Sequence, residues 1–344
     1  MSEKLHTSKI FYSGFLLVLL VALLYLFKSY LMAIVIGILL AISTLSIQNF
    51  SLRVCNNRNI LATSLTMFIL LGVFCLPFFY LVIAVVKYIS NLDINTITSV
   101  FNQIKSYELN LPKNLEFIKP KIELFIASLD IENIIKKSLE FTSKSLSKGV
   151  DFAVDMSFIM IFIFFVHYYS RALGKYVASI APIATKELKE IFSEVANTMS
   201  VVFYSTIANM VLQGMLFAFI ASFYGYNGVL FGVLFGFASL IPIVGGALVF
   251  VPLALYELSV NGWVNALVIV VYTVIVVSTV ADNFIKPGII KFISSRLLGS
   301  QAKINELIIF FAMIAGLSSF GFWGIILGPA IVTLFIASIR VYAK

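Results

Sequence analysis

Long apolar runs alternate with short polar segments along most of this chain. Six of the runs are long enough for a helix to cross the hydrocarbon core of a bilayer, which takes about 17–25 residues. They are residues 10–27, 31–47, 60–86, 152–169, 201–224 and 263–281. The pattern therefore predicts an all-α polytopic membrane protein with about six full spans.

Two further apolar regions are interrupted, and we expect them to be broken helical hairpins. Region 228–258 is broken at residues 241–246, which leaves arms of about 13 residues. Such an arm is roughly 20 Å long, too short for a core of about 30 Å, so a re-entrant hairpin is predicted. Region 304–341 is broken near residues 318–324. It is either a second re-entrant hairpin or two short spans.

Segment 87–150 differs from the rest because it is rich in charged residues. Ile131, Ile134, Ile135 and Leu139 follow helical spacing. We interpret the segment as an extracytoplasmic insert of amphipathic helices that forms a packing face, with a binding module as the alternative. The predicted division is residues 1–86 for the first three spans, 87–150 for the insert, and 151–344 for a transport core.

Composition and charge agree with a membrane protein. Of 344 residues, 61% are hydrophobic and only 12% are charged, whereas soluble domains carry about 25% charged residues. With the N-terminus in the cytoplasm, fourteen Lys and Arg residues fall inside and only Lys28 falls in a short outer loop. This bias predicts cytoplasmic N- and C-termini in a bacterial inner membrane. The net charge of +8 therefore reflects orientation and does not indicate a nucleic-acid partner.

The sequence Asp282-Asn283 is the strongest candidate for cation chemistry. It ends an uncharged run and is followed by Pro287, which cannot continue a regular helix. A carboxylate and an amide beside backbone freed by proline suit Na⁺ or proton coupling. The alternative is a simple pair between Asp282 and Lys286, four residues on.

The helix breakers are the second group of candidates. Pro242, Gly245 and Gly246 interrupt the first broken region. Non-helical backbone at membrane depth is tolerated only where protein or a water-filled cavity satisfies it. We therefore expect a gate or substrate cavity at these residues and at Pro287, Gly328 and Pro329, with a purely structural kink as the alternative.

Weaker candidates are polar residues inside or beside the spans. Asn209 and Gln213 share a helix face and suggest either a polar pathway or interhelical hydrogen bonds. His167 is followed by two tyrosines and is interpreted as an interfacial residue. No nucleotide-binding motif, metal-ligand spacing or hydrolase motif is recognisable, so we predict no enzyme activity, no bound metal and no cofactor beyond transported Na⁺, Li⁺ or H⁺.

Three stretches resemble the autoinducer-2 exporter (AI-2E) family, also called PerM/TqsA-like permeases. They are Gly225–Gly246 with the Val251-Pro252 pair after it, Asp282–Pro287, and Phe320–Ala330. The end of the fourth span, Phe165–Arg171, departs from the family pattern. The resemblance implies export of autoinducer-2 or, as described for some members, exchange of Na⁺ or Li⁺ for H⁺, by a homo-oligomer.

The sequence therefore predicts a secondary transporter of a small solute or a cation, embedded in lipid. Two alternatives stay open. A passive channel predicts flux without ion coupling. A membrane scaffold that uses segment 87–150 predicts that this segment, and not Asp282, carries the phenotype.

Overall fold

A computed structural model describes residues 2–90, 120, 124, 131–180, 184–242, 244–285, 287–288, 291 and 305–343. Every regular element in these ranges is helical, so the all-α prediction is confirmed. Five helices are long and apolar enough to cross a membrane, or six if one bent pair counts as a span. The chain is therefore a multi-pass membrane protein.

The N-terminal part begins with a bent pair of helices, where two full spans were predicted. Helices α1 (Ser2–Leu26) and α2 (Leu31–Ser43) meet at an angle of 91°, and residues 11–30 are exposed throughout. Helix α2 is 13 residues long, about 20 Å, and does not span alone. Thr44 links it to α3 (Leu45–Val54) without a break in hydrogen bonding, because its amide donates to Leu40 and its carbonyl accepts from Gln48.

The predicted third span is present as α4 (Asn59–Leu70), a π-helical turn (Leu71–Cys75) and α5 (Leu76–Ser90). Asn56 and Asn57, both in the left-handed region, turn the chain between α3 and α4. The two helices then run side by side, joined by a hydrogen bond from Thr66 Oγ1 to Ser51 Oγ of 2.9 Å.

Two helices are much longer than the spans predicted within them. Helix α6 covers Ile131–Tyr168, and α8 covers Thr185–Phe223, with α7 (Ser170–Ile180) between them. Each joins an amphipathic stretch to an apolar one in a single helix, and α6 continues through Gly149 at the junction. The predicted division at residue 150 falls inside α6, and the division into domains stays a prediction.

The first hairpin consists of α9 (Gly228–Ala238), α10 (Ala247–Val260) and the break at residues 239–246. Its arms are antiparallel, because Tyr226 before α9 is hydrogen-bonded to Glu257 near the end of α10. Helix α9 lies close against α8. A methyl group added to Gly232 would come within 2.8 Å of the Gly214 carbonyl oxygen.

Helix α11 (Trp263–Tyr272) continues into a π-helical segment (Thr273–Ile285), which together match the predicted sixth span. The second hairpin follows as α12 (Glu306–Phe320), a 3₁₀ turn (Gly321–Trp323) and α13 (Gly324–Tyr342). Its arms also fold back on each other, since Gly324 contacts Gly316 and Gly328 contacts the Ala312 carbonyl. An ion pair between Arg340 and Glu194 joins α13 to α8.

Helix α8 lies at the centre of the molecule and contributes to two large hydrophobic clusters. One is formed with α2, α4, α6 and α13, and includes Phe203 and Trp323. The other is formed with both arms of the first hairpin and α11, and includes Phe217 and Phe235. Both hairpins are thus packed around one long helix.

Candidate functional site

A cavity of about 100 Å³ lies beside the middle of α8, where the breaks of both hairpins meet. The first hairpin contributes Phe237 and Leu240, and the second contributes Phe322 and Trp323. Helices α2, α4 and α6 and the π-helical turn after α4 supply the other walls. The cavity therefore touches the two elements that sequence analysis singled out as irregular.

The walls of this cavity are almost entirely apolar. Aromatic rings and methionines dominate, and only three hydroxyl-bearing residues, Ser43, Thr44 and Thr206, interrupt them. The aromatic and methionine residues are Phe74, Phe152, Phe203, Phe237, Phe322, Trp323, Met156, Met160, Met199 and Met210. Such a surface favours an uncharged ligand, because an unpaired ion would lose its hydration without compensation.

Aromatic contacts fix the break of the second hairpin against α6. The Phe152 ring stacks on the Trp323 indole with ring centres 5.1 Å apart, and meets Phe322 edge-on at 5.4 Å. Across the cavity, the Phe74 and Phe203 rings are 5.5 Å apart. Offset and edge-to-face pairs of this kind add stabilisation beyond their buried area.

One end of the cavity is closed by a buried polar cluster. Thr44 Oγ1 lies 3.0 Å from His167 Nε2 and 2.7 Å from the Leu40 carbonyl oxygen. The hydroxyl has one proton, and we infer that it goes to Leu40 and that His167 donates from Nε2. The Ser200 hydroxyl donates to the Ser43 carbonyl at 3.0 Å.

The cluster extends along α3 and α4, where the Gln48 side chain donates to Thr63 Oγ1 at 3.0 Å. Two of its polar atoms have no hydrogen-bond partner among the residues that the structure describes: His167 Nδ1 and Gln48 Oε1. Buried polar atoms of this kind are uncommon and need an explanation. A polar ligand or ordered water at this end of the cavity would provide the missing hydrogen bonds.

The interpretation of His167 as an interfacial residue is wrong, because the side chain is only 1% exposed. Its aromatic neighbours in sequence suggested a membrane surface, but the helix turns His167 inward towards Thr44. The sequence contains a pattern that indicates this polar cluster, and the sequence analysis did not use it. Thr44, Gln48 and Ser51 recur at helical spacing and mark one polar face on an otherwise apolar pair of helices.

None of the predicted gate residues lines the cavity. Pro242 is half-buried and Gly245 is buried within the first break, while Gly246 packs against the Phe235 ring. Gly328 and Pro329 are buried inside α13, beyond the second break. Pro287 is exposed. Leu240 and Ile326, each two residues before one of these positions, line the cavity, and a gating role for the predicted residues stays a prediction.

Asn209 and Gln213 are both buried on α8, and the polar pathway predicted from them stays a prediction. They flank Met210, which does line the cavity. Asp282 and Asn283 occur in the π-helical segment Thr273–Ile285, but their side chains lie outside the described part of the chain. π-Helical geometry is rare and is frequently found at functional sites.

Comparison with known proteins identifies the family. The sequence model for the AI-2E family transporter matches residues 15–344. The chain belongs to the AI-2E transporter family. A protein of Helicobacter pylori strain J99 is 32% identical over 93% of this chain and 91% of its own length. One of Aquifex aeolicus strain VF5 is 27% identical over 91% and 89%. Both are named "Putative transport protein".

Membership of a transporter family relates this fold to transport. In this AI-2E transporter, a cavity bounded by two broken hairpins lies beside one central helix. Hairpins with irregular backbone at membrane depth are the elements from which transporters commonly build binding sites and gates. The family is one of transporters and not of enzymes.

Proposed function

We propose that this AI-2E transporter is a secondary transporter that exports a small, uncharged organic solute through the central cavity. The observation that carries the proposal is the apolar wall of that cavity at the junction of both hairpin breaks. Movement of either hairpin would open the cavity towards one side of the membrane. Alternating opening of this kind is typical of transporters with broken helices.

The membrane orientation belongs to the same proposal. The bias of Lys and Arg residues supports cytoplasmic N- and C-termini in a bacterial inner membrane. The first hairpin then enters from the extracytoplasmic face, because Tyr226 at its open end directly follows the end of α8, which this orientation places outside. Resemblance to the family supports a homo-oligomer. The driving force would be an ion gradient, since the sequence has no recognisable nucleotide-binding motif.

Filling the cavity tests the proposal. We expect Met210→Trp to reduce export strongly, because Met210 is buried and lines the cavity. The matched control is Met215→Trp on the same helix, where the side chain is 61% exposed. The measurement is loss of autoinducer-2 from preloaded proteoliposomes. Equal rates for both variants, or no loss with the unmodified protein, would contradict the proposal.

Exchange of Na⁺ or Li⁺ for H⁺ at Asp282 and Asn283 is a second candidate function. The specific observation in its favour is the π-helical backbone around these two residues. We expect Asp282→Asn to abolish exchange if the carboxylate binds the cation. Asp155→Asn, at an exposed carboxylate on α6, is the control.

A pH-sensitive dye inside proteoliposomes measures this exchange after pulses of Na⁺ or Li⁺. Proton movement that is lost in Asp282→Asn and kept in Asp155→Asn would support the antiporter. Exchange that persists in Asp282→Asn would exclude this coupling site. Solute flux whose rate does not depend on any ion gradient would favour the passive channel.

A further inference from the structure

A second cavity, of about 320 Å³, lies between α8, α9 and the third span, and we call it the lateral groove. Val211, Met215 and Val229 line it and are exposed at the surface of the chain. Among the described residues, its walls consist of glycine, alanine, valine, methionine, proline and phenylalanine alone. The lateral groove is therefore apolar and opens to the outside of the molecule.

Close contact between α8 and α9 produces the groove. A methyl group added to Gly214 would come within 2.7 Å of the Gly232 carbonyl oxygen. One added to Gly236 would come within 2.8 Å of the Met210 carbonyl oxygen. Small residues let the backbones of membrane helices approach in this way. Because glycine has no side chain to fill the space over the contact, a furrow remains along it.

The lateral groove lies at the depth of the lipid hydrocarbon. Val73, in one of its walls, is near the middle of the 26-residue apolar span Asn59–Ala84. Gly214 lies near the middle of the apolar half of α8, residues 201–224. The centre of a membrane span is surrounded by acyl chains and not by water. The mouth of the groove therefore faces the bilayer.

Only a thin wall separates the lateral groove from the central cavity. Met210 and Phe237 line both of them. In the π-helical turn, the adjacent residues Val73 and Phe74 line the groove and the cavity respectively. Methionine is unbranched and changes conformation readily, and Phe237 lies in the last turn of α9, beside the hairpin break. Rotation of these two side chains would connect the two spaces.

We propose that the lateral groove is an entrance through which small apolar solutes pass between the bilayer and the central cavity, past Met210 and Phe237. The proposal deepens the proposed function, on which it rests for the role of the central cavity as a solute site. It names the substrate class as uncharged solutes that dissolve in lipid. Such a solute has already left water, so an apolar path into an apolar cavity exposes none of its surface to water again.

Fluorescence quenching tests the proposal without a transport assay. Trp323 lines the central cavity and is one of two tryptophans in the chain, so Trp263→Phe leaves it as the only one. The protein is placed in nanodiscs and titrated with 1,6-dibromohexane, an apolar quencher that partitions into lipid and acts at short range. A parallel titration uses acrylamide, a polar quencher that enters from water.

Filling the groove should protect Trp323 from the lipid-soluble quencher. Val73→Phe with Val233→Phe adds two rings at half-buried positions that line the groove and not the central cavity. We expect the dibromohexane quenching constant to fall at least about threefold, because a filled interior excludes the probe. The matched control is Val268→Phe with Val271→Phe on α11, where both side chains are exposed and line neither space. It should leave the constant unchanged.

Met210→Ala provides a variant with the opposite effect. It shortens a side chain of the shared wall, so the dibromohexane quenching constant should rise at least about twofold, as expected when a packed side chain is removed. Acrylamide quenching should stay low in every variant. Met215 is not used to fill the groove, because its exposed side chain leaves room for a larger one to extend into lipid. Circular dichroism and gel filtration establish the fold and the size of each variant.

Equal dibromohexane quenching in the filled and control variants would overturn the proposal. So would stronger quenching by acrylamide than by dibromohexane, which would indicate entry from water. A smaller oligomer for the filled variant with unchanged quenching would assign the groove to a second copy of the chain. Because quenching needs no transport, failure of the export assay would leave this test intact. Active export without any effect of the filled groove would overturn only the lateral entrance.

Discussion

At the scale of single residues, the unusual feature is how much hydrogen-bonding capacity is buried next to an apolar cavity. Thr44 contacts His167, and Ser200 contacts Ser43, both at interfaces between helices. Hydrogen bonds between membrane helices contribute modestly on average, but removing one partner leaves the other buried and unpaired. The bond between Thr44 and His167 is therefore expected to matter through the histidine.

Replacing Thr44 by valine keeps the shape and removes the hydroxyl. We expect Thr44→Val to lower the free energy of unfolding by about 1–3 kcal/mol, the usual cost of a buried polar group without a partner. Unfolding in mixed detergent micelles measures the change. Ser338→Ala removes an exposed hydroxyl that donates to the Leu334 carbonyl, and should change stability by less than about 0.5 kcal/mol. Equal effects would show that the histidine contact is unimportant.

At the scale of helices, the hairpins depend on small residues where backbones approach closely. In the second hairpin, Gly324 meets Gly316 and Gly328 meets the Ala312 carbonyl, so the two arms touch along α12. Without a hydrophobic driving force between helices in lipid, such close packing is a main source of association. A side chain at these positions would force the arms apart.

Gly324→Ala tests this packing. The added methyl group would collide with the Gly316 carbonyl, and overpacking of this kind costs about 1–3 kcal/mol. We expect a lower midpoint of thermal unfolding. The control is Gly174→Ala on α7, which meets nothing within 4 Å and should gain up to about 1 kcal/mol from helix propensity. An unchanged midpoint for Gly324→Ala would contradict the role of the contact.

The hairpin breaks were predictable from sequence, and the helix lengths were not. Proline and glycine act locally, so Pro242 and Gly245 mark the first break wherever the rest of the chain lies. The 91° bend between α1 and α2 has no such local cause. Likewise, no residue between the amphipathic and apolar halves of α8 stops the helix, so hydropathy detected only its apolar half.

The candidate site was predictable only in part, for a related reason. Its irregular backbone follows from proline and glycine residues that are visible in the sequence, but its walls are formed by helices far apart along the chain. Phe152 and Trp323 stack although they are distant along the chain. His167 was interpreted as interfacial because burial depends on how the helices pack and not on the neighbours of a residue in sequence.

At the scale of the whole molecule, the arrangement of the helices makes a prediction about sidedness. Cys55 lies between α3 and α4 in a basic segment that contains Arg53 and Arg58. Val260 lies at the open end of the first hairpin. If basic segments face the cytoplasm, the two positions are on opposite sides of the membrane.

An impermeant maleimide tests this orientation. Cys55 should react in inside-out vesicles and be protected in right-side-out vesicles, while Cys75 is buried and should not react in either. Val260→Cys, in a chain with Cys55→Ser, should show the opposite pattern. Labelling of both positions from the same side would contradict the orientation and the assignment of the first hairpin to the extracytoplasmic face.

The length of α8 has a mechanical consequence. Its 39 residues make a rod of about 58 Å, nearly twice the thickness of a hydrocarbon core of about 30 Å. An uninterrupted helix has no hinge and can act as a lever. A sideways displacement of its end near Thr185 would therefore move Met210 at the cavity wall. The Arg340–Glu194 ion pair joins that lever to the second hairpin. A force on the part of α8 that extends beyond the bilayer would therefore act on the cavity wall.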